Sequence, residues 1–137
     1  MSYQSNKENY LRLSREYISG ARNAEALCTE LMALWRCDRD EELAQAASWP
    51  QRYDLELLAA NQEGRLSDEA FSAAWTDLWG YAGQEHLHAM VDRLFSACDA
   101  FEDNANGPPA ISDDELREEV IKSVGEYELD ERRQRRR

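Results

Sequence analysis

Between Gln84 and Asp103 the apolar residues fall at Leu87, Met90, Val91, Leu94, Cys98 and Phe101. Steps of three and four trace one face of an α-helix. The same spacing returns in nearly every segment of the chain. No run of β-branched residues alternates with period two, so no sheet is expected. The fold class that follows is all-α: an antiparallel helical bundle built from helical hairpins.

The punctuation is helical as well. Leu11, Leu13, Tyr17 and Ile18 mark a helix over 6–19, stopped at Gly20. Glycine fills the left-handed position after a helix without a Cβ clash. Asn23 caps a second helix running to about Cys37, with Leu27, Cys28, Leu31, Leu34 and Trp35 on its stripe. A short helix over 40–48 is expected next, ended by Pro50, because the residue before proline is biased away from helix. A helix from Tyr53 to about Gln62 stops at Gly64, and Ser67 caps one carrying Phe71, Trp75, Leu78 and Trp79. After the long 84–103 helix comes the loop "NANGPPA". Ser112 and Glu115 then form a capping box for a last helix with Leu116, Val120, Val124 and Tyr127 on its buried side.

The first two hairpins resemble each other. Leu11, Leu13, Gly20, Glu25, Ala26, Leu34 and Trp35 match Leu55, Leu57, Gly64, Glu69, Ala70, Leu78 and Trp79 at one constant offset. Either the segment is duplicated, or any helix–Gly–cap–helix unit converges on this pattern.

At 137 residues the chain suits one domain, assigned to 1–129, with 130–137 as a disordered basic tail. Apolar residues make up 42%, enough for a core. No apolar run approaches the roughly 20 residues that span a bilayer, and the N-terminus lacks a signal pattern; a cytoplasmic location is expected. The net charge is −12, but five of the 16 basic residues lie in "RRQRRR". Residues 1–131 therefore hold 28 acids against 11 bases. Such a body repels nucleic acid and membrane surfaces and attracts basic proteins.

Catalytic and metal chemistry find little footing. His86 and His88 are two apart, so on a helix they point away from each other and cannot share a metal as an i, i+4 pair does. The acidic runs lack the glycine and alternating oxygens of a calcium loop. Cys28, Cys37 and Cys98 form no CxxC unit and read as buried small hydrophobes. No nucleotide-binding or nucleophile-elbow motif appears. No enzyme activity, cofactor or metal is expected.

The acids do show a pattern. Glu85, Asp92, Asp99 and Asp103 share one side of their helix. On the last helix, Asp113, Asp114 and Glu115 suit the positive end of the helix dipole. Glu118, Glu119, Glu126 and Glu128 have no such explanation. Among the aromatics, Trp49 and Tyr53 flank Pro50 and fit no stripe, which marks them as candidate interface anchors.

Two stretches, "YLRLSREYISGARNAEALCTELMALWRCDRD" and "LFSACDAFEDNANGPPAISDDELREEV", resemble the colicin D immunity family. The likeness rests on a Leu-x-x-Tyr-Ile-x-Gly helix end and an Ala-Glu helix start. A Leu-Phe-x-x-x-Asp-x-Phe helix and an Ile-x-x-x-Glu-Leu-Arg start complete it. It spans about half the chain, its two ends, and leaves 40–82 and the arginine tail without counterpart. The resemblance implies a helical bundle that binds a cognate toxin one to one. That toxin is a nuclease acting on transfer RNA, and the inhibitor places acids where RNA phosphates lie.

The expected toxin-facing set is therefore Asp92, Asp99, Glu102, Asp103, Asp114, Glu118 and Glu119, with Trp49 and Tyr53. The expected partner is a basic nuclease domain, with no direct nucleic-acid or membrane contact. A helical adaptor, or an acidic mimic of DNA, are the competing readings.

Overall fold

The last two helices form the spine of the molecule. In the computed structural model, which describes residues 2–79, 84–102 and 110–136, they run over Glu85–Glu102 and Asp113–Arg135. Five helical segments precede them: α1 Ser2–Ser5, α2 Lys7–Ile18, α3 Ala24–Ala47, α4 Tyr53–Gln62 and α5 Asp68–Trp79. The spine helices are thus α6 and α7. The described residues are all-α and contain no strand.

α6 and α7 lie antiparallel. His86, at the start of α6, meets Glu131 near the end of α7, and Arg93 meets Glu126 farther along. Their facing stripes are the ones the spacing predicts: Leu87, Met90, Val91, Leu94 and Cys98 on α6, and Leu116, Val120, Val124 and Tyr127 on α7, are all buried. α2 and the first half of α3 close the other side with Leu11, Leu13, Tyr17, Leu27, Cys28 and Leu31. Trp35 stacks on Phe95 with ring centres 3.9 Å apart, which fixes α3 against α6. Cys37, expected in the interior, is exposed; Cys28 and Cys98 are buried.

The caps form as the residue types require. The Asn23 side chain accepts the Ala26 amide at 2.8 Å, and Ser112 and Glu115 close a reciprocal capping box. Gly20 and Gly64 take φ of +86° and +77°, the left-handed region that costs an L side chain.

Three boundaries differ from the sequence reading. Ahead of the expected 6–19 helix the chain forms an additional short helix, α1, and at the joint the Asn6 side chain donates to Asp38 at 2.6 Å rather than capping α2. The break expected after Cys37 is absent, and α3 runs unbroken to Ala47. The reason is Asp38, which reads as a surface acid but is 1% exposed, its carboxylate accepting from Asn6 and from the Tyr10 hydroxyl at 2.7 Å. Nothing in "CDRD" breaks a helix, and an inward-facing acid with two donors holds one in place.

The third difference is the tail. Residues 130–135, expected to be disordered, continue α7. Glu131 accepts from the Tyr127 hydroxyl and pairs with His86 Nε2, both at 2.9 Å, and Gln134 reaches His86 Nδ1 at 3.3 Å. Arg132, Arg133 and Arg135 occupy the last turn, where cations complement the negative end of the dipole.

α4 and α5 stand apart from this bundle. They pack mainly on each other. A small second core joins α5 to the end of α3: Ala46 and Trp79 are buried, with Trp49, Trp75 and Leu78 packed around them.

Candidate protein-interaction face

The solvent side of α6 forms an acidic ridge. Glu85, Asp92 and Asp99 recur every seven residues along it, and all three are exposed. Glu102 follows one turn beyond Asp99, exposed as well. Asp103 lies outside the described residues. The ridge carries one base, Arg93, and that base is paired with Glu126 of α7.

On one flank the ridge falls into a groove of about 360 Å³ between α6 and α7. Ser96, Ala97 and Ala100 supply its small-residue floor; Glu115, Glu118 and Glu119 supply its acidic wall. Asp114 is exposed one turn before Glu118. The cation of this segment is turned away from them. Arg117 Nη1 donates to the carbonyls of Tyr17 and Ile18, both at 2.9 Å, and its guanidinium lies 4.6 Å from the Tyr17 ring centre. Arg117 thereby caps the carbonyl end of α2 and forms no ion pair with the neighbouring acids. Asp113 is also structural, since its backbone carbonyl and its carboxylate both accept from the Tyr17 hydroxyl.

On the other flank lies a cleft of about 430 Å³ between α6, α3 and α5. Asp92 and Glu85 line it together with Glu42 of α3, Trp75 of α5, Tyr3 and His88. Although much of Asp92 is exposed, its place on this wall takes the carboxyl partly out of water. Burial pushes it above the ordinary carboxylate range. His88, edge-on to Tyr3 with ring centres 5.2 Å apart, is pushed down to about 4 by burial. It is neutral at pH 7.

Among the described residues, Asp92, Asp99, Glu102, Asp114, Glu118 and Glu119 enter no ion pair. Several acids elsewhere do: Glu16 and Glu30 hold Arg22, Glu128 holds Arg15, and Asp54 holds Arg52. Arg22 keeps Glu16 below the usual carboxylate range, and Arg52 does the same for Asp54. Unpaired acids also occur on α4 and α5, but α6 and the first two turns of α7 carry them as one continuous band.

The expected set is divided by the structure. Six of its acids form one band across α6 and α7, whereas Trp49 and Tyr53 belong to the α3–α5 corner. Trp49 is half-buried, 5.1 Å from the Trp79 ring, so it is a core residue of the hairpin rather than a free anchor. Tyr53 is exposed beside it. Three lining acids were missing from the expected set. Glu85 was legible from the seven-residue line and Glu115 from the capping box. Glu42 sits on a different helix, and nothing within α3 signals its position across from Asp92.

His86 and His88 face opposite sides of α6, one toward Tyr127 and one toward Tyr3. No described group of three His, Cys, Asp or Glu residues is arranged to hold a metal ion. No described helix is long and apolar enough to cross a membrane. Comparison with protein-family models, with curated proteins and with solved structures returns no match.

Proposed function

We propose that this chain is an immunity-type inhibitor: a non-enzymatic cytoplasmic protein that binds a basic nuclease toxin one to one and covers its RNA-binding cleft. The observation that carries the reading is the band of unpaired carboxylates on α6 and α7: Arg117 is turned onto the end of α2, and Arg93, which lines the groove, is paired with Glu126. Carboxylates at helical spacing present negative charge at intervals that a cationic cleft, built for phosphates, accepts in place of RNA. Complementary potentials raise the association rate and reject neutral partners. The resemblance of the two chain ends to colicin D immunity proteins points the same way.

The test pairs this chain with the basic nuclease domain that the reading predicts beside its gene. The two proteins should co-elute at low salt, and the association rate should fall steeply as salt rises. Charge reversal of Glu118 and Glu119 to lysine should slow association about tenfold or more. Transfer RNA should compete for the complex, and duplex DNA should not; the opposite order would favour a DNA mimic. A complex that ignores both salt and the reversals would defeat the proposal.

A further inference from the structure

α4 is apolar around much of its circumference. Tyr53, Leu55, Leu57 and Leu58 point to several sides, and Ala59 and Ala60 follow. A helix of that character is normally covered on all sides. Here α5 covers one side only, and Tyr53, Leu55 and Leu58 stay exposed, Leu55 at 53%. Between the two helices runs an open groove of about 780 Å³. Ala59, Ala60 and Ala74 form its floor, so a visiting backbone can approach closely; Leu57, Leu66 and Leu78 supply its walls. The small hairpin core beneath holds this surface in shape.

The charge at the rim selects the visitor. Glu56 and Asp77 line the groove and are exposed. The lining base, Arg65, is already paired with Glu63 at 2.5 Å. A second copy of this chain would bring the same acidic rim and a net charge of −12 to the contact, and would be repelled. We infer that the α4–α5 groove is a docking site for an amphipathic helix of a partner protein. That helix carries an apolar stripe to fill the groove and lysine or arginine on its flanks to meet Glu56 and Asp77. Such helix-in-groove binding is read through anchors at i, i+3, i+4 and i+7. This surface is distinct from the α6–α7 face and does not depend on what that face binds.

The experiment uses the full chain and two synthetic helical peptides of about 18 residues, long enough to hold helical structure on binding. Both carry the same leucine stripe; one is flanked by lysine and the other by glutamate. Amide chemical shifts followed by NMR locate the site. The lysine-flanked peptide should perturb α4 and α5 saturably and bind at least about tenfold tighter than its partner. The double variant Glu56→Lys with Asp77→Lys, both at exposed positions, should invert that preference while leaving the spectrum of the bundle unchanged. Equal binding of the two peptides, or binding of neither, would overturn the inference. So would concentration-dependent self-association abolished by Tyr53→Ser, which would make a second copy the occupant.

Discussion

The α2–α3 and α4–α5 hairpins are built on the same turn. Gly20 and Gly64 donate to the carbonyls of Tyr17 and Asn61, and Ser19 and Glu63 to those of Arg15 and Ala59. Asn23 and Ser67 cap the amides of Ala26 and Ala70. Every one of these bonds recurs forty-four positions on, the separation of Gly20 and Gly64. The fates of the two units are opposite. Leu11 is 4% exposed, and its counterpart Leu55 is 53% exposed. Identical local grammar therefore sets the turn and leaves burial to the neighbours. α2 and α3 receive α6 and α7; α4 receives only α5. If the two hairpins differ this way energetically, the bundle should govern global unfolding and the second hairpin should open on its own.

Truncating the bundle core should have the largest effect. Leu94, on α6, is fully buried in the main core. Leu94→Ala should cost about 3–5 kcal/mol, lost transfer energy plus the cavity. Denaturant melts should show it as a lower midpoint with an unchanged slope. The matching cut in the second core is Trp79→Ala. It should abolish amide-exchange protection in α4 and α5 and barely move the global midpoint. A global loss as large as that of Leu94→Ala would show that the hairpin is part of one cooperative unit.

Asp38 comes next. Asp38→Ala leaves the buried Tyr10 hydroxyl without its acceptor, at a cost of about 1–3 kcal/mol. Adding Tyr10→Phe to that variant should recover part of the loss, because no orphaned donor then remains. Failure to recover would mean that Asn6 and the α1–α2 joint carry the effect.

Asp38 also shows where the sequence is legible. Periodicity, glycine stops and caps mark segments whose local chemistry agrees with their burial, so most helices and both core stripes can be read directly. Asp38 disagrees with its surroundings: a charged residue turned inward by partners more than twenty-five residues away. A one-dimensional pattern holds no trace of such partners, and the false break in α3 followed. The arginine tail misled for the same reason, since Glu131 and Gln134 reach back to His86 across the spine. At the candidate face, the line of acids along α6 was legible because it lies on one helix. Its flank toward α3 and α5 was not, because Glu42 and Trp75 come from other elements.

Acid should act at the seam between the two regions. His88 lies in the cleft with Tyr3, Glu42, Glu85 and Asp92 on the bundle side and Trp75 on the hairpin side. Burial lowers it from 6.5 to about 4. The unfolded chain then binds the proton more readily than the folded one. Its contribution is complete above pH 6.5 and declines as pH falls toward 4, by at most about 1.4 kcal/mol per pH unit. The raised Asp92 carboxyl has the opposite sign, favouring the fold at low pH, and Glu131, held low by His86 and Tyr127, loses its contribution only in stronger acid. Between pH 7 and 5, His88→Gln should therefore flatten the decline in denaturant midpoint. An unaltered profile would place the titration elsewhere.

The smallest effects are the most discriminating, because they compare like with like. At neither glycine does any neighbouring atom come within 4 Å of the point a Cβ would occupy, so an alanine there meets no clash and pays only for the left-handed backbone. That strain is about 1 kcal/mol at either site. Gly20→Ala should pass the whole of it to global stability, since α2 and α3 unfold with the bundle. Gly64→Ala should leave the global midpoint within about 0.5 kcal/mol and raise amide exchange in α4 and α5 alone. Equal shifts in the two midpoints would mean that the second hairpin is coupled to the bundle as firmly as the first. The exposed leucines of α4 would then belong to a rigid surface rather than to a separately opening unit.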